Sequence, residues 1–580
     1  ADLDINKWMS DPEHYGMMQV AKDLTTHHVP DGGSLESYTN ESQYYTFRAT
    51  TSYHNTIAEK HFIDAIAGME YRQTKYTTEN STMLGYDYAT QSNLNLLTDW
   101  SFINNPTTSV FGSDNAVYGA PNSFGTSSVL HRYYSLFLSA NYVYDARYAL
   151  SASYRVDKTD LFGADPKFRG RPLWSAGVSW NAHNEEFMRD LTWLNILKVR
   201  ASYGLTGNID PNSTSYLTAI IGTNSITGNK VGTLRTPPND QLRWEKTATW
   251  DFGVDFSLLD NRLTGSLDYY HKSGSDLLTV TDLDRTTGWS SLTINSGNMV
   301  NQGVELQLDG VILPQHGRKS WGVRLGFNFA YNKNKITKVS HYVNSGVDYL
   351  NASLLHEGYP MGGIFSFDYT GLKEVDGLWY MGWRDHNGEE HTSSIANSEF
   401  TIDDVIYSGP SQPVYSGAIT PTVMWNGFSL SAMLNFYAGH YMRVGDDEWA
   451  LGAGGAYGYN NPFGQGAVSS HALDYWRGDT QMPANGYFYK DYKYMNYAGY
   501  RSTNVAHADY MKVRNIMLSY NFDPKLCRKI GLNDIRLRFQ MNNIATWARN
   551  GRGFDPEAIS NGRHINKVPR SYTFSLFFNF

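Results

Sequence analysis

The segment Asp385-His386-Asn387-Gly388-Glu389 places oxygen-bearing side chains at alternate positions, as calcium-binding loops do. Asp385, Asn387 and Glu389 are therefore candidate metal ligands, and calcium is the candidate cofactor. An EF-hand loop also needs a bidentate acidic residue at its twelfth position, which counted from Asp385 is Ala396. The EF-hand interpretation therefore fails, and a plain Asn-Gly turn is favoured over another kind of calcium site.

Aromatic side chains are concentrated in two of the long predicted loops. One group, in the loop that carries the Asn-Gly turn, consists of Trp379, Tyr380 and Trp383. The other is a tyrosine-rich run that includes Tyr487, Tyr489, Tyr492 and Tyr494. Flat aromatic rings stack on sugars and pack against partner proteins, so both groups are candidate substrate-contact or partner-contact residues. Packing of the long loops on themselves is an equally good explanation.

No arrangement of residues points to catalysis. The 17 histidines and 56 acidic residues fall mostly at positions expected to face a polar interior or to lie in loops. The single cysteine, Cys527, excludes an internal disulfide, and no Cys/His spacing suggests a structural zinc site. The net charge of −8 and the scattered Lys and Arg residues argue against a nucleic-acid partner. We therefore predict that the chain is not an enzyme.

The elements that must position these residues are β-strands with one apolar and one polar face. The pattern is clearest where Ala248, Trp250, Phe252, Val254, Phe256 and Leu258 alternate with Thr249, Asp251, Gly253, Asp255 and Ser257. A short turn at 259–262 joins this strand to a partner of the same kind at 263–270. The total is about fifteen strands, many of the length that a tilted strand needs to cross a bilayer. The others lie near 43–54, 61–75, 130–144, 147–157, 172–181, 195–206, 300–312, 321–335, 413–425, 428–438, 508–522, 534–545 and 570–580.

The connections mostly alternate between short turns and long loops. The long loops lie near 76–129, 207–242, 279–299, 336–412, 439–507 and 546–569. This asymmetry is typical of outer-membrane β-barrels, which have short periplasmic turns and long extracellular loops. No stretch approaches the roughly 18 apolar residues of a membrane helix, and a mean hydropathy of −0.46 fits strands with one wet face. The predicted fold class is therefore all-β, a transmembrane antiparallel β-barrel that contacts outer-membrane lipid.

The C-terminal strand carries a further signal. Tyr572, Phe574, Leu576, Phe578 and Phe580 fall on one face at strict period two. Such a strand ending in Phe resembles the signal by which bacterial outer-membrane barrels are recognised for assembly, so Phe574, Phe578 and Phe580 are candidate assembly residues. A β-sandwich edge strand is the alternative. Near predicted membrane boundaries we interpret four tryptophans as an interfacial girdle: Trp174, Trp180, Trp250 and Trp321.

The number of strands also predicts where the chain starts. A complete bacterial barrel normally has an even number of strands and both ends in the periplasm. An odd number that ends in the periplasm places residue 1 outside the cell, and a barrel of roughly 22 strands would need about seven more upstream. We therefore expect residues 1–42 to be an extracellular loop region and residues 43–580 to be the C-terminal part of the barrel. A missing N-terminal barrel and plug segment would complete it.

Seven short segments carry a family resemblance. In chain order they are Tyr154-Arg155-Val156-Asp157 with Leu161-Phe162-Gly163, Leu197-Lys198-Val199-Arg200-Ala201-Ser202-Tyr203-Gly204 with Thr206-Gly207-Asn208, Leu242-Arg243-Trp244-Glu245-Lys246-Thr247, Asp260-Asn261-Arg262-Leu263-Thr264-Gly265, Asn301-Gln302-Gly303-Val304-Glu305-Leu306, Glu357-Gly358-Tyr359-Pro360, and Met541-Asn542-Asn543-Ile544 with Gly553-Phe554-Asp555-Pro556-Glu557. Together they resemble the barrel of the SusC/RagA family, outer-membrane importers of Bacteroidetes. The resemblance spans most of residues 40–580.

The resemblance implies a TonB-dependent importer of large nutrients, either glycan fragments or peptides. It also implies a SusD-like surface lipoprotein as a partner, and contact with TonB through an N-terminal part outside this chain. A passive porin is the alternative within the transport class. A secreted β-rich enzyme or adhesin is the alternative outside it, and extraction only by detergent would exclude that alternative.

Overall fold

The computed structural model describes most of the chain. The described residues are 33–92, 124–161, 170–211, 213–223, 227–340, 345–350, 354–375, 378–393, 395, 399–444, 498–551, 553–560, 563–564 and 567–580. Residues 1–32, which make up most of the expected extracellular loop region 1–42, lie outside them. Among the described residues, no helix is long and apolar enough to span a membrane.

β-strands account for most of the described structure. Two short helices, α1 (Gly346–Leu350) and α2 (Pro524–Lys529), and a few 3-10 turns lie between the strands. In chain order the strands are β1 (Gly33–Ile57), β2 (His61–Tyr86), β3 (Phe124–Tyr144), β4 (Tyr148–Thr159), β5 (Gly170–Asn181), β6 (Leu194–Asn208), β7 (Thr218–Thr223), β8 (Lys230–Thr236), β9 (Glu245–Leu258), β10 (Leu263–Asp282), β11 (Ser291–Leu313), β12 (Gly322–Lys338), β13 (Gly363–Val375), β14 (Leu378–Arg384), β15 (Glu390–His391), β16 (Val405–Pro410), β17 (Tyr415–Trp425), β18 (Phe428–Ala438), β19 (Tyr441–Arg443), β20 (Val505–His507), β21 (Tyr510–Asn521), β22 (Asp534–Ala548), β23 (Ile559–Ser560), β24 (Arg563–His564) and β25 (Ser571–Asn579).

Fifteen of these strands form one sheet. Its order is β1-β2-β3-β4-β5-β6-β9-β10-β11-β12-β17-β18-β21-β22-β25, so each strand pairs with the next long strand along the chain. Each of the fifteen corresponds to one segment predicted from the alternating pattern, which confirms the predicted all-β fold and the strand number. The other strands form small sheets inside the long loops, and the largest of these has the order β15-β14-β13-β16.

The chain divides into two compact units. Unit 1 comprises 1–52, 66–138 and 155–172, and unit 2 comprises 53–65, 139–154 and 173–580. Within unit 1, charged side chains are paired along the sheet: Arg48 binds Glu70, Arg155 donates to Asp157 at 2.6 Å, and the Arg72 guanidinium lies 4.5 Å from the centre of the Tyr133 ring. Polar partners in the sheet therefore satisfy these charges.

In unit 2 the pleat sorts side chains onto two faces. Beginning just before β12, one face carries Trp321, Val323, Leu325, Phe327, Phe329 and Tyr331, and the other carries Gly322, Arg324, Gly326, Asn328, Ala330 and Asn332. Large side chains on the apolar face are exposed, since Trp321 and Leu325 keep 55% and 38% of their surface. An exposed apolar face is stable only against lipid, so we call it the outward face and the polar one the inward face.

Aromatic residues mark both ends of the outward face, as the girdle interpretation predicts. At one end, the Tyr203 ring lies 5.5 Å from Trp174 and 4.5 Å from Trp250. At the other end, Trp321 stacks on Trp425 at 5.5 Å. Trp180 is also exposed on this face. Amphipathic aromatic rings favour the two boundaries between lipid and water.

Close contacts between neighbouring strands require glycine at particular positions. A Cβ atom added to Gly303 on β11 would lie 2.3 Å from the Tyr331 carbonyl oxygen and 2.5 Å from the Tyr270 hydroxyl. That hydroxyl donates to Asn332 at 2.9 Å, so the Tyr270 ring lies flat across the glycine. Gly310 on the same strand has no atom closer than 3.7 Å to its added Cβ.

We therefore expect Gly303→Ala to impair folding and Gly310→Ala to be tolerated. The added methyl group at 303 meets backbone that cannot move without disturbing the β11–β12 pairing, at a cost of about 1–3 kcal/mol. Heat-modifiable gel migration of the full-length protein measures the folded fraction in outer membranes. Equal folded fractions for the two variants would contradict the close-packing argument.

Candidate functional site

The long loop between β12 and β17 contains a small folded lobe. It is built from α1 and the sheet β15-β14-β13-β16, and its buried residues pack into a core of Leu350, Phe365, Phe367, Tyr369, Trp383, Ile395 and Phe400. Phe367 is fully buried. The alternating pattern did not predict this structure, because β14, β15 and β16 have seven residues or fewer and the core joins residues far apart in the sequence.

Trp383 is placed differently from the expectation that it contacts substrate or partner. Only 1% of its surface is exposed, and its indole Nε1–H donates to the Ser393 carbonyl at 3.0 Å. Its ring stacks on His391 at 4.3 Å and meets Phe400 edge-on at 5.4 Å. Because the ring has almost no free surface, its role in this structure is to hold the lobe together.

The other candidate contact residues are only partly located. Trp379 and Tyr380 lie on β14, where their backbones pair with Glu374 and Lys373 of β13. The tyrosine-rich run lies outside the described residues, so the contact role of Tyr487, Tyr489, Tyr492 and Tyr494 stays a prediction.

The Asn-Gly turn connects β14 to β15 and is organised by one carboxylate. Asp385 Oδ1 accepts the backbone N–H groups of Asn387 and Glu389 at 3.0 and 2.8 Å. Burial raises the pKa of Asp385, but hydrogen bonds from the backbone of Glu389, from His391 and from Asn387 outweigh it and lower the pKa overall. Gly388 adopts a φ of 88°, a conformation that favours glycine. These contacts fit the plain turn that the sequence favoured.

A metal ion would find a different ligand set here from the predicted one. Ligand atoms of Asp385, Glu389 and His391 lie within 4.8 Å of one another and could hold a divalent cation. The side chain of Asn387 instead hydrogen-bonds to Asp385. A nitrogen ligand suits zinc and similar ions better than calcium. His391 Nε2 already lies 3.2 Å from Asp385 Oδ2, so an ion would have to replace that hydrogen bond.

A second histidine–carboxylate pair fixes the turn to the rest of the lobe. Asp404 lies 2.7 Å from His386 Nδ1 and also accepts the His386 backbone N–H and both donors of Thr401. Burial raises the pKa of Asp404, but the hydrogen bonds from Thr401 and His386 outweigh it and hold the pKa at about 2. The hydrogen bond with Asp404 raises the pKa of His386.

On the inward face, one arginine binds three carboxylates. Arg200 of β6 lies 3.4 Å from Asp251 and 3.2 Å from Asp255, both on β9, and 2.5 Å from Asp268 on β10. Gly253 leaves room for this arrangement, since a Cβ there would lie 2.4 Å from the Arg200 Cζ. The four groups carry two net negative charges on a partly exposed surface, so this part of the wall attracts cations.

Charge is distributed unevenly along the sheet. Strands β9, β10 and β11 contain eight acidic residues and two lysines. Strands β12, β17, β18, β21, β22 and β25 contain eight basic residues and one acidic residue, Asp534. On the inward face, Asp251, Asp255 and Asp268 lie on β9 and β10, whereas Arg324, Arg536 and Arg538 lie on β12 and β22. A solute that passes along this face therefore meets acidic groups on some strands and basic groups on others.

The Gly-Phe-Asp-Pro-Glu segment anchors its loop to β21 through buried charges. Lys512, which is 2% exposed, lies 2.6 Å from Glu557 and 3.4 Å from Asp555. Arg514 donates to both oxygens of Glu557, and the Tyr510 hydroxyl donates to it at 2.9 Å. Burial raises the pKa of Glu557, but these hydrogen bonds hold it at about 2.

The Leu-Arg-Trp-Glu segment is likewise held to neighbouring strands, by hydrogen bonds and an ion pair. The Asn295 side chain on β11 accepts the Arg243 N–H at 2.9 Å and donates to the carbonyls of Arg243 and Asp276 at 2.7 Å. The Arg243 guanidinium binds Asp276 at 2.8 Å, and Glu245 accepts the Leu278 N–H at 2.9 Å. Sequence reasoning quoted this segment for its resemblance alone, because its partners lie 33 to 52 residues further along the chain.

Of the proposed assembly residues, Phe574 and Phe578 lie on the outward face of β25, and Phe580 follows the strand directly. Phe574, Phe578 and Phe580 keep 76%, 50% and 84% of their surface. The Asn533 side chain donates to the Phe580 carbonyl at 2.5 Å, and its backbone N–H donates to the Asn579 carbonyl at 2.8 Å. The strand therefore presents a continuous aromatic edge, and recognition during assembly stays a prediction.

Comparison with known proteins agrees with this architecture. Residues 17–394 match the model of the family described as TonB dependent receptor-like, beta-barrel. The chain belongs to this family. TonB-dependent receptor P39 of Formosa agariphila is 26% identical over 92% of this chain and 52% of its own length. TonB-dependent receptor SusC of Bacteroides thetaiotaomicron is 26% identical over 76% of this chain and 43% of its own length.

A solved structure of a transporter complex shows the same fold. The RagAB peptide transporter matches with a TM-score of 0.72 and 22% identity, over 94% of this chain and 56% of that chain. The SusC/RagA resemblance and the outer-membrane location are thereby confirmed. The curated relatives are named as receptors. The chain spans about half the length of the curated relatives it matches.

We expect Lys512→Met to loosen the loop at 549–560. The substitution leaves the buried Asp555 carboxylate, which is 5% exposed, without its cation, and this costs about 3–5 kcal/mol. Hydrogen exchange of that loop in the full-length receptor measures the effect. The matched control is Arg549→Ala, whose ion pair with Asp509 is largely exposed and is worth at most about 1 kcal/mol. Equal exchange in both variants would refute the anchoring role.

The lobe should be most stable in the pH range in which Asp404 is ionised and His386 is protonated. The contribution of Asp404 is complete above its unfolded pKa and is lost as pH falls toward 2. The contribution of His386 is complete below its unfolded pKa and is lost as pH rises through its raised folded value. The protection of backbone amides at 385–405, that is, their exchange corrected for its intrinsic dependence on pH, should therefore be greatest at about pH 4–6.5.

Asp404→Asn should remove this pH dependence, whereas Asp403→Asn, a change at the exposed neighbouring carboxylate, should retain it. An unchanged exchange profile in Asp404→Asn would exclude the pair as its cause.

Proposed function

We propose that the chain is the barrel portion of an energy-coupled importer that carries glycan fragments or peptides across the outer membrane. The observation that carries the proposal is the family match over 17–394, which places the chain among TonB-dependent receptor barrels. The identity with SusC and the fold likeness to RagAB support the importer class. Because the chain spans about half of its relatives, this activity is proposed for the whole protein.

The proposed partners are a SusD-like lipoprotein on the extracellular side and TonB as the source of energy. The lobe between β12 and β17 is a folded surface at the loop end of the sheet, where such a lipoprotein would sit. Contact with TonB is assigned to the N-terminal part of the protein. Outer-membrane lipid surrounds the outward face.

The inward face is the proposed path of the substrate. Its carboxylates around Arg200 offer hydrogen-bond acceptors, and its arginines on β12 and β22 offer donors. Hydroxyl groups of glycans and the backbone of peptides both bind to such groups. The path is therefore suited to polar solutes of either class.

Uptake measured with and without energy tests the proposal. Cells that lack the gene are compared with cells that carry it, with fluorescent oligosaccharides and oligopeptides as the supplied solutes. We expect uptake to need the receptor and to stop when TonB is deleted or the proton gradient is collapsed. Receptor-dependent uptake that continues without TonB would indicate a passive porin instead.

A further inference from the structure

The outward face of β12 continues beyond its aromatic boundary with two lysines. Lys333 and Lys335 follow Tyr331 at alternate positions, and both are exposed. Cross-strand neighbours extend this patch, because Lys333 pairs with Gln302 of β11, and Gln302 pairs with His271 of β10. We call His271, Gln302, Lys333 and Lys335 the donor patch. All four residues offer hydrogen-bond donors.

The position of the patch relative to the membrane follows from the length of β12. Trp321 and Tyr331, the aromatic residues at the two ends of the outward face, are ten positions apart in the sequence. Ten residues of strand extend about 33 Å, and a tilt of about 40° reduces this to roughly 25 Å, the height of the apolar band of an outer-membrane barrel. The short turn at 314–321 marks the periplasmic end. The donor patch therefore lies at the head groups of the outer leaflet.

Acidic residues of the neighbouring strands lie on the opposite face of the sheet from this patch. On the inward face, the same strands β9 to β11 carry Asp251, Asp255, Asp268, Glu305 and Asp309. At the outward positions of β9 to β12 beyond the aromatic row, the residues are Lys246, Ala248, His271, Ser273, Ser275, Val300, Gln302, Lys333 and Lys335. No carboxylate stands at these described outward positions of the four strands.

The outward surface on the membrane side of the donor patch is apolar. Tyr331, Phe329 and Phe327 continue the outward face of β12, with Val304 and Leu306 beside them on β11. Such a surface packs against acyl chains. A ligand that fits both parts has an anionic head and a hydrocarbon tail, whereas a free phosphate ion or a soluble anionic glycan would leave the apolar part uncovered.

We propose that the donor patch binds the phosphorylated head group of an outer-leaflet glycolipid. Lys333 and Lys335 pair with phosphate oxygens, Gln302 and His271 donate to the head group, and the acyl chains lie along Tyr331 and Phe329. Phosphate is the expected anion because it presents several oxygens to neighbouring ammonium groups. The bound lipid would then form part of the barrel's outer boundary below the lobe.

The test uses full-length receptor purified from outer membranes in detergent, unchanged and as Lys333→Gln/Lys335→Gln. Bis-phosphorylated lipid A and its dephosphorylated form are titrated separately while thermal unfolding is followed. We expect the unchanged receptor to be stabilised by the phosphorylated lipid alone. Loss of two cations at a membrane surface should weaken that binding about thirtyfold.

Two controls make each outcome decisive. Lys319→Gln removes an exposed charge from the turn at the other end of β12 and should leave lipid binding unchanged. Lys333→Arg/Lys335→Arg should also bind normally, and heat-modifiable migration shows that each variant is folded. Equal stabilisation by both lipids would show that the acyl chains alone bind. Equal affinity of the unchanged and Gln-substituted receptors would overturn the proposal.

Discussion

A strand that crosses lipid must find every backbone hydrogen-bond partner in its neighbours, because the bilayer core offers none. In the described sheet, the strands from β2 to β22 have a paired neighbour on both sides, whereas β1 and β25 stand at its two edges. The same ladder of paired strands fixes which side chains face lipid and which face inward, since the pleat alternates them strictly. A one-residue slip in β12 would exchange Phe327 and Phe329 for Asn328 and Ala330 on the lipid side. The placement of charged residues therefore depends on the register of the strands.

Charged residues within this ladder and at its ends are held by specific partners. Arg200 is surrounded by three carboxylates on the inward face, and Lys512 and Arg514 hold Glu557 above β21. In the lobe, Asp404 plays the same part for His386. The Arg200 cluster joins three strands, whereas Glu557 and Asp404 fix loop segments to the structure around them.

The strands were predictable from the sequence and the loop structure was not. Alternation is a local pattern, so residues such as Trp250, Phe252 and Val254 predict their own strand without knowledge of any partner. The lobe depends instead on contacts between distant residues. Phe365, Phe367 and Tyr369 alternate along β13, but the short strands β14, β15 and β16 carry no comparable pattern. Trp383 illustrates the difference, because its sequence neighbours place it in a loop while Phe400 and Ser393 bury it. Likewise, the proximity of His391 to Asp385 depends on the tight turn between β14 and β15.

One contact at the end of the sheet with the short turns affects the rate at which the protein unfolds. Arg318, in the turn before β12, donates to the carbonyls of Asn521 and Phe522 at 2.6 and 3.2 Å and lies 5.8 Å from the centre of the Tyr520 ring. It passes Gly427, where a Cβ would lie 2.4 Å from the arginine. The two ends of this contact are 204 residues apart, so it closes only after β12, β17, β18 and β21 stand side by side. Interactions made that late raise the barrier to unfolding more than they speed folding. The contacts of Arg318 therefore slow the unfolding of the strands that they join.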